Sequence, residues 1–405
     1  MTYSIRRKLV GQSELFQDLK RESGKLYSQT VTFFWRTVRK KGIWLKPKSL
    51  LRLFNSDKMH AHSADASVQS FFNSLKSWSE LRKSDPNARP PRRRKYFFPV
   101  TWKNTAIRIK NGNLILSNGR NQQPVVIENW QHKLPIQAML RWTGTENEII
   151  FTYTTEDEKV IETGDIVGLD IGQIHMVACS DGLILNGKLL RSLRQWFHKK
   201  GADLQYKIDH KKKGLPSGNE GSRQWKRLKV AKAKFLKTAA NKTKDILHKL
   251  TTGLVATMKR KGVSTLVIGD LTGYRLDNDC GSKRNQENHS WLYHQITWIT
   301  GYKCKRSGIK MVLQEESYTT KQCPACFNRK KPTGRNYKCK CGFVGHRDIV
   351  GATNIRSKYL GYFGIQVVAE MAPAFGIRFN PHINVASGFQ WTGYRSEEST
   401  PIYRL

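Results

Sequence analysis

Acidic residues are scarce in this 405-residue chain: 31 Asp and Glu stand against 71 Lys and Arg, a formal net charge of +40. Self-repulsion on that scale works against a compact state unless a polyanion neutralises it. With a pI near 10.1, nucleic acid is the expected partner. An anionic membrane surface is the weaker candidate, because no basic amphipathic anchor stands out. No apolar run approaches the roughly 18 residues of a membrane span. The start, Met1-Thr2-Tyr3-Ser4-Ile5-Arg6, lacks the apolar stretch of a secretory signal. The chain is therefore expected in the cytoplasm, associated with DNA and with no membrane. Cysteines number seven, an odd count without a signal peptide, which argues against a disulfide framework. A Walker-type phosphate loop, a dinucleotide fingerprint and a Ser-His-Asp arrangement are all missing.

Hydrophobic content of 38% and 10% aromatics fit a folded chain of two or three domains. The first hundred residues are basic and helical in pattern, with Val68, Phe71, Phe72, Leu75 and Trp78 at helical spacing. The run Pro90-Pro91-Arg92-Arg93-Arg94-Lys95-Tyr96-Phe97-Phe98-Pro99 sets charges beside aromatics, which suits tracking a nucleic-acid backbone and stacking on bases. From about 100 to 162 short strands take over, with Lys110-Asn111-Gly112 reading as a hairpin turn, and a small β-barrel is expected. A new domain opens with the strand Asp165-Ile166-Val167-Gly168-Leu169-Asp170, followed by Ile174–Cys179. Lysine-rich helices broken at Gly214–Gly218 lead to a buried strand, Ser264–Leu271. A polar segment near 275–290 is expected to be mobile, Trp291–Cys304 helical, and Gly308–Leu313 the next strand. The tail after about 375 has no period and is expected to be disordered.

Two constellations carry chemistry. Cys323-Pro-Ala-Cys326 and Cys339-Lys-Cys341 supply four thiolates, which suit tetrahedral Zn²⁺ in a closed structural site. The second pair is one residue shorter than the usual spacing, and His346 offers a substitute ligand. The other three cysteines, Cys179, Cys280 and Cys304, read as plain thiols. Strands followed by helix–strand units, with carboxylates at strand ends, form the RNase H arrangement. Two-metal phosphodiester hydrolysis needs carboxylates that converge, so that ions about 3.5–4 Å apart clamp the attacking and leaving oxygens. Mg²⁺ prefers hard oxygen ligands and keeps several waters, so two or three acids suffice. Asp170 stands where its strand leaves the core, and Gly168 and Gly172 permit close backbone approach. Alone, such an aspartate is more often a turn or a cap; Asp348, just beyond the cysteines, gives it company. His248 follows Leu247 on a helix and is expected to pack.

Several stretches together resemble the TnpB family, transposon-encoded RNA-guided nucleases related to the type V CRISPR effectors. They are Gly168-Leu169-Asp170-Ile171-Gly172, Asp245-Ile246-Leu247-His248-Lys249-Leu250, Tyr318-Thr319-Thr320-Lys321-Gln322-Cys323-Pro324-Ala325-Cys326 and His346-Arg347-Asp348-Ile349-Val350-Gly351-Ala352-Thr353-Asn354-Ile355. The likeness covers nearly the whole chain in layout and is sharpest from 165 to 356. It implies an α/β fold: an RNase H-like RuvC nuclease core with a zinc-ribbon insertion, an N-terminal helical recognition segment and a small β-barrel wedge domain. On this layout 1–99 is the helical segment, whose first strand can join the barrel, and 100–162 is the wedge. The nuclease domain spans 163–375 with its insertion at about 320–345, and 376–405 is the tail. The resemblance further implies two catalytic Mg²⁺ ions, one structural Zn²⁺, a guide RNA and target double-stranded DNA as partners, and a monomer.

One position departs from the family pattern. Where the family sets its middle catalytic glutamate, as in Glu-Asp-Leu, this chain reads Ile268-Gly269-Asp270-Leu271. Three arrangements stay open. Asp270 takes over, although neighbouring strand residues point to opposite faces. Glu316, at the end of the next strand and two residues before Tyr318-Thr319-Thr320, reaches the same metals; this is the preferred arrangement. Or the nuclease is inactive, and the chain is a guided DNA-binding protein. A compact type V effector would differ only in genomic context, and a DDE transposase fits the place of the cysteine insertion less well.

Overall fold

The structure, a computed structural model, describes residues 2–9, 13–212, 221–272, 279, 281–362 and 375–377. It divides into two units, Met1–Thr155 and Glu156–Leu405.

The first unit opens with β1 (Thr2–Lys8) and continues through helices α1 (Ser13–Lys41), α2 (Pro47–Leu53) and α3 (Ala61–Ser84). Strands β2 (Val100–Lys103), β3 (Ile107–Lys110), β4 (Asn113–Leu116), β5 (Val125–Ile127), β6 (Gln137–Trp142) and β7 (Asn147–Thr154) complete it. Val68, Phe71 and Phe72 share one face of α3 and are buried with Phe34 and Trp35 of α1 and Leu50 of α2. The Pro90–Pro99 run is tied to α1: Trp35 Nε1 donates to the Pro91 carbonyl at 3.0 Å, and Phe98 stacks on Tyr27. Tyr96 and Phe97 of the same run stay exposed.

Among the described residues the strands pair as two antiparallel sheets, β1-β7-β6-β2 and β3-β4-β5, where a small β-barrel is expected from the sequence. The chain passes from one sheet to the other through a 3-10 turn, Asn104–Ala106. Both sheets bury alternate residues, among them Trp102, Leu114, Leu140 and Phe151, in one core with Phe16 and Leu19 of α1. The hairpin turn is a two-residue Asn-Gly loop. Lys110 pairs with Asn113, and Asn111 and Gly112 take φ of +50° and +71°, the twist that joins two strands tightly.

The second unit holds β8 (Asp165–Asp170), β9 (His175–Cys179), β10 (Leu183–Asn186), α4 (Lys188–Lys212), α5 (Arg223–Arg260) and β11 (Val263–Asp270). After them come α6 (Ser282–Ser290), α7 (Tyr293–Arg306), β12 (Lys310–Glu315), β13 (Asn336–Lys338), β14 (Val344–His346), α8 (Arg347–Tyr359) and β15 (Phe375–Ile377). Six strands form one sheet in the order β12-β11-β8-β9-β10-β15. β8, β9 and β10 run antiparallel in turn, while β11 lies parallel to β8 and β12 parallel to β11.

The two faces of β8 explain where the site falls. Val167 and Leu169 join the apolar core made with Leu250 and Leu254 of α5 and Ile296 of α7. The alternate residues, Gly168 and Asp170, face α8. A Cβ at Gly168 would lie 2.1 Å from the Ala352 carbonyl oxygen, so glycine is what lets α8 lie directly on the strand. Two expectations need adjustment. Residues 282–290 of the polar segment form α6, which is held to α4 by Glu287 accepting from Arg191 at 2.9 Å and from Gln195 at 2.6 Å. Residues 376–377, assigned to a disordered tail, lie in β15 beside β10. The Gly214–Gly218 break and residues 378–405 lie outside the described residues.

Candidate active site and metal centre

Asp170 ends β8 and turns towards α8, where Gly351 makes room: a Cβ there would lie 2.7 Å from Asp170 Oδ2. Asp348 sits in the first turn of α8, a position where the helix dipole favours a negative charge. His346 caps that helix, its Nδ1 accepting from the Asp348 backbone N–H at 3.3 Å. Two further groups hold the Asp348 carboxylate. His175 Nδ1 lies 2.7 Å from Oδ2, and Arg347 Nε lies 3.2 Å from Oδ1. Burial alone would raise the Asp348 pKa, but the His175 hydrogen bond and the charges of Arg347 and the histidines prevail and bring it to about 2.

Glu316 follows the last residue of β12. Its Oε2 lies 2.1 Å from where a Cβ on Gly269 would stand, so this carboxylate occupies the space a side chain at 269 would fill. Burial, then the charges of Asp270 and Glu315, push Glu316 up to about 7. Asp170 is driven well above the usual carboxylate range, first by burial and then by repulsion from Asp348 and Glu316. Asp170, Glu316 and Asp348 therefore form one electrostatic cluster.

Asp270 behaves differently. Its Oδ1 accepts from the Thr272 backbone N–H at 2.9 Å and from Thr272 Oγ1 at 2.6 Å, and those bonds lower its pKa. Its carboxylate thus closes the turn after β11. Glu315 is likewise engaged, with Lys358 and with the Ser317 N–H.

The segment that carries Glu316 is anchored to α8. Thr319 donates to the Glu316 carbonyl from both its N–H and its Oγ1, at 3.2 and 2.9 Å. Buried Asn354 donates from Nδ2 to the carbonyls of Thr319 and Gln322, at 2.6 and 2.8 Å. One helix therefore positions Asp348, admits Asp170 and fixes the loop that leads from Glu316 to Cys323.

The four cysteines meet just beyond. Cys323 Sγ lies 3.7 Å from Cys341 Sγ, and Cys326 Sγ 3.4 Å from Cys339 Sγ, with all four within 4.8 Å of one another. Four thiolates at 2.3 Å from one tetrahedral ion would stand about 3.8 Å apart, so the donor set fits zinc. Each pair is presented by a tight turn: Phe327 N–H donates to the Cys323 carbonyl at 3.0 Å, and Cys339 N–H to the Phe343 carbonyl at 2.9 Å. The short Cys339-Lys-Cys341 spacing thus places both thiols in the cluster without His346. Cys179 and Cys304 are buried, in keeping with plain thiols; Cys280 lies outside the described residues. His248 packs on α7, its Nδ1 3.1 Å from the Tyr302 hydroxyl.

The sequence reading passed over His175 and missed the bond between His346 and the Asp348 backbone. The one signal available for the latter was the two-residue step from His346 to Asp348 at a helix start. No helix among the described residues is long and apolar enough to cross a membrane.

Comparison with known proteins gives likenesses in sequence and in fold. Two family models match: a probable transposase model over residues 150–275 and the Cas12f1-like TNB domain over residues 293–355. A TnpB-like protein of Methanocaldococcus jannaschii is 24% identical over 64% of this chain and 82% of its own length. A putative RNA-guided DNA endonuclease of Streptomyces pristinaespiralis is 31% identical over 47% of this chain, which spans under half, 44%, of that relative. Among solved structures, Cas12f1 in its complex with sgRNA and target DNA aligns with a TM-score of 0.56 and 14% identity, over 86% of this chain and 83% of that one. The mini-RNA-guided endonuclease CRISPR-Cas_phi3 aligns with a TM-score of 0.53 and 10% identity, over 88% and 92%. The fold is thus a mixed α/β one shared with these small effectors. Family models and sequence relatives extend the likeness to TnpB-type proteins over parts of the chain.

Proposed function

We propose that the chain is a transposon-encoded, RNA-guided DNA endonuclease whose cutting centre is Asp170, Glu316 and Asp348. The observation that carries this reading is the Glu316 carboxylate lying over Gly269, in the space where the family's middle glutamate would project. The six-stranded sheet, with β8, β9 and β10 antiparallel in turn, parallel β11 and β12 on one side and β15 beside β10 on the other, supports a RuvC-like core over residues 163–375. The cysteine cluster would be its zinc-ribbon insertion, at about 320–345. Residues 1–99 would be the recognition segment and 100–162 the wedge, holding guide RNA and the heteroduplex with target double-stranded DNA. The charge of +40 fits two polyanionic partners. Sequence specificity would come from base pairing, while the protein reads backbone shape and a short adjacent motif. The protein would work as a monomer.

Divalent cations, Mg²⁺ by the hardness of the oxygen donors, would supply Lewis acidity and a water of lowered pKa at this centre. The residues present fit such a group, since Asp170 is crowded by two carboxylates and the repulsion calls for counter-charge. The chain's own part is positional. Gly168 and Gly351 let strand and helix approach so that Asp170 and Asp348 converge, and Asn354 holds the loop behind Glu316. His175 and Arg347 keep Asp348 ionised and oriented. Zn²⁺ on the four thiolates would be structural.

The test is to purify the protein with RNA expressed from its own locus, sequence the bound RNA, and challenge the complex with a randomised-flank DNA library in Mg²⁺. A structured RNA with cleavage beside an enriched flank is the expected result. RNA and binding without cuts would favour the inactive guided binder, for which the glycine at 269 is the motivating observation. No bound RNA would sink the guided reading.

A further inference from the structure

The loop between β12 and the cysteine cluster carries a residue that its backbone does not favour. Thr319 N–H closes a turn on the Glu316 carbonyl at 3.2 Å, and Tyr318 takes the third position of that turn with φ of +67°. Glycine is the usual residue there, because an L side chain crowds its own carbonyl. Burial does not offset the strain, since Tyr318 is 51% exposed. The loop also borders the carboxylate cluster at both ends. Glu316 belongs to the cluster, while Thr320 Cγ2 and Asp170 Oδ2 lie 3.3 and 2.7 Å from one point, where a Cβ on Gly351 would stand. Tyr318 therefore stands on the rim of the proposed cutting centre.

Arg329, from the cysteine segment, braces the ring. Its guanidinium carbon lies 4.2 Å from the ring centre, too close for any approach but one over the face. Arg329 is itself held by a β-bridge with Gln322, and Lys330 N–H donates to the Lys321 carbonyl at 2.8 Å. Lys321 Nζ reaches the ring centre only at 5.9 Å. One face thus rests on a cation, and the exposed half of the side chain is left for a second flat group. Glu315, the carboxylate just before the loop, is paired with Lys358. The charged groups set against the ring are cations, which suits a strand whose phosphates flank its bases.

We propose that Tyr318, braced by Arg329, is a stacking platform for an unpaired base beside the scissile phosphate of the DNA strand being cut. The proposal rests on the nuclease reading and adds to it a contact with a base of the substrate. Every base has a π-face, so the platform orients the strand without adding sequence preference. The strained turn then has a use. It presents the ring outward from a loop whose backbone Asn354 fixes to α8.

The test compares the RNA-loaded chain and its variants on intact target DNA and on DNA with an abasic analogue at each nucleotide flanking the wild-type cut in turn. Tyr318→Gly suits the backbone and removes only the side chain, so thermal melt and zinc content should hold. Its cleavage rate should fall by ~5- to 150-fold. Tyr318→Phe, which keeps the ring, should cut at close to the wild-type rate. At one flanking nucleotide the abasic analogue should slow the wild type by a similar factor and leave Tyr318→Gly no slower than on intact DNA. A tyrosine that merely held the loop together would not show that dependence on the base. Tyr318→Asn, whose side chain tolerates this φ, repeats the comparison if the glycine variant loses zinc. Ring-less variants that cut as fast as the wild type, or that are slower by one factor on intact and on every abasic DNA, would overturn the proposal and leave the nuclease reading standing. A wild type that binds target DNA but never cuts it in Mg²⁺ would remove both.

Discussion

The four thiols and the three carboxylates both gather like charge, but by opposite means. Cys323, Cys326, Cys339 and Cys341 belong to one short segment, and backbone hydrogen bonds within that segment close the turns that present them. Asp170, Glu316 and Asp348 come from a strand end, the overhang of another strand and the start of a helix. Only the parallel register of β8, β11 and β12 and the close approach of α8 bring them together. A site made by local turns should fail locally when disturbed. A site made by the sheet should respond to changes some distance away.

Removing a member of each cluster tests that contrast most sharply. Asp170→Ala should cut DNA cleavage by on the order of 10³-fold or more, since several kcal/mol of charge stabilisation leave with it. Guide-RNA binding and zinc content should stay intact, as measured by filter binding and elemental analysis. Cys341→Ser should do the reverse in metal content, lowering bound zinc well below one per chain while the sheet core, read by hydrogen exchange, stays protected. Loss of protection across β8 and β11 in that variant would show that the two sites are not separable.

Asn354→Ala probes the joint between them. It leaves the carbonyls of Thr319 and Gln322 without their donor, at a cost of ~2 kcal/mol. Urea unfolding should report that loss, and cleavage should fall with it, because the loop carries Glu316. Unchanged cleavage would mean that Glu316 does not depend on this anchor.

The smallest effect is expected far from both clusters. Lys303 donates to the His248 carbonyl and to Thr251 and Thr252, yet burial, then Arg306, lower its pKa from 10.5 to about 7. Between those two values the unfolded chain holds a proton that the folded chain has released, so stability rises with pH across that window. The cost of the buried charge is fully present below the folded value. The wild type should therefore gain on Lys303→Met in thermal melts from pH 7 to pH 10; a constant difference would contradict the burial argument.

The same contrast governs how far the sequence could be read. Cysteine spacing is a local signal, so the gathering of these four thiols was legible. Asp170 and Asp348 were legible because a strand end and a helix start can be seen in the apolar pattern. Glu316 was reachable only through what was missing at Gly269. Asp270 could be ranked below it by strand alternation alone, while its bonds to Thr272 belong to a turn whose shape the pattern does not specify. His175 gave no spacing signal, since its contact with Asp348 depends on how β9 and α8 pack on the sheet. The two sheets of the first unit were read as a barrel because the crossing at Asn104–Ala106 carries neither glycine nor proline. Helix α6 was hidden by its polar composition; ion pairing to α4 holds it in place of an apolar face.

The most direct test of the central claim exchanges the middle carboxylate between its two positions. Target-DNA cleavage would be measured for the RNA-loaded wild type, for Glu316→Ala, and for Glu316→Ala combined with Gly269→Glu. Because Glu316 Oε2 fills the space above Gly269, the single variant should lose cutting and the double variant should regain a measurable part of it. Full activity in Glu316→Ala would contradict the account, since the middle carboxylate would then have to come from elsewhere.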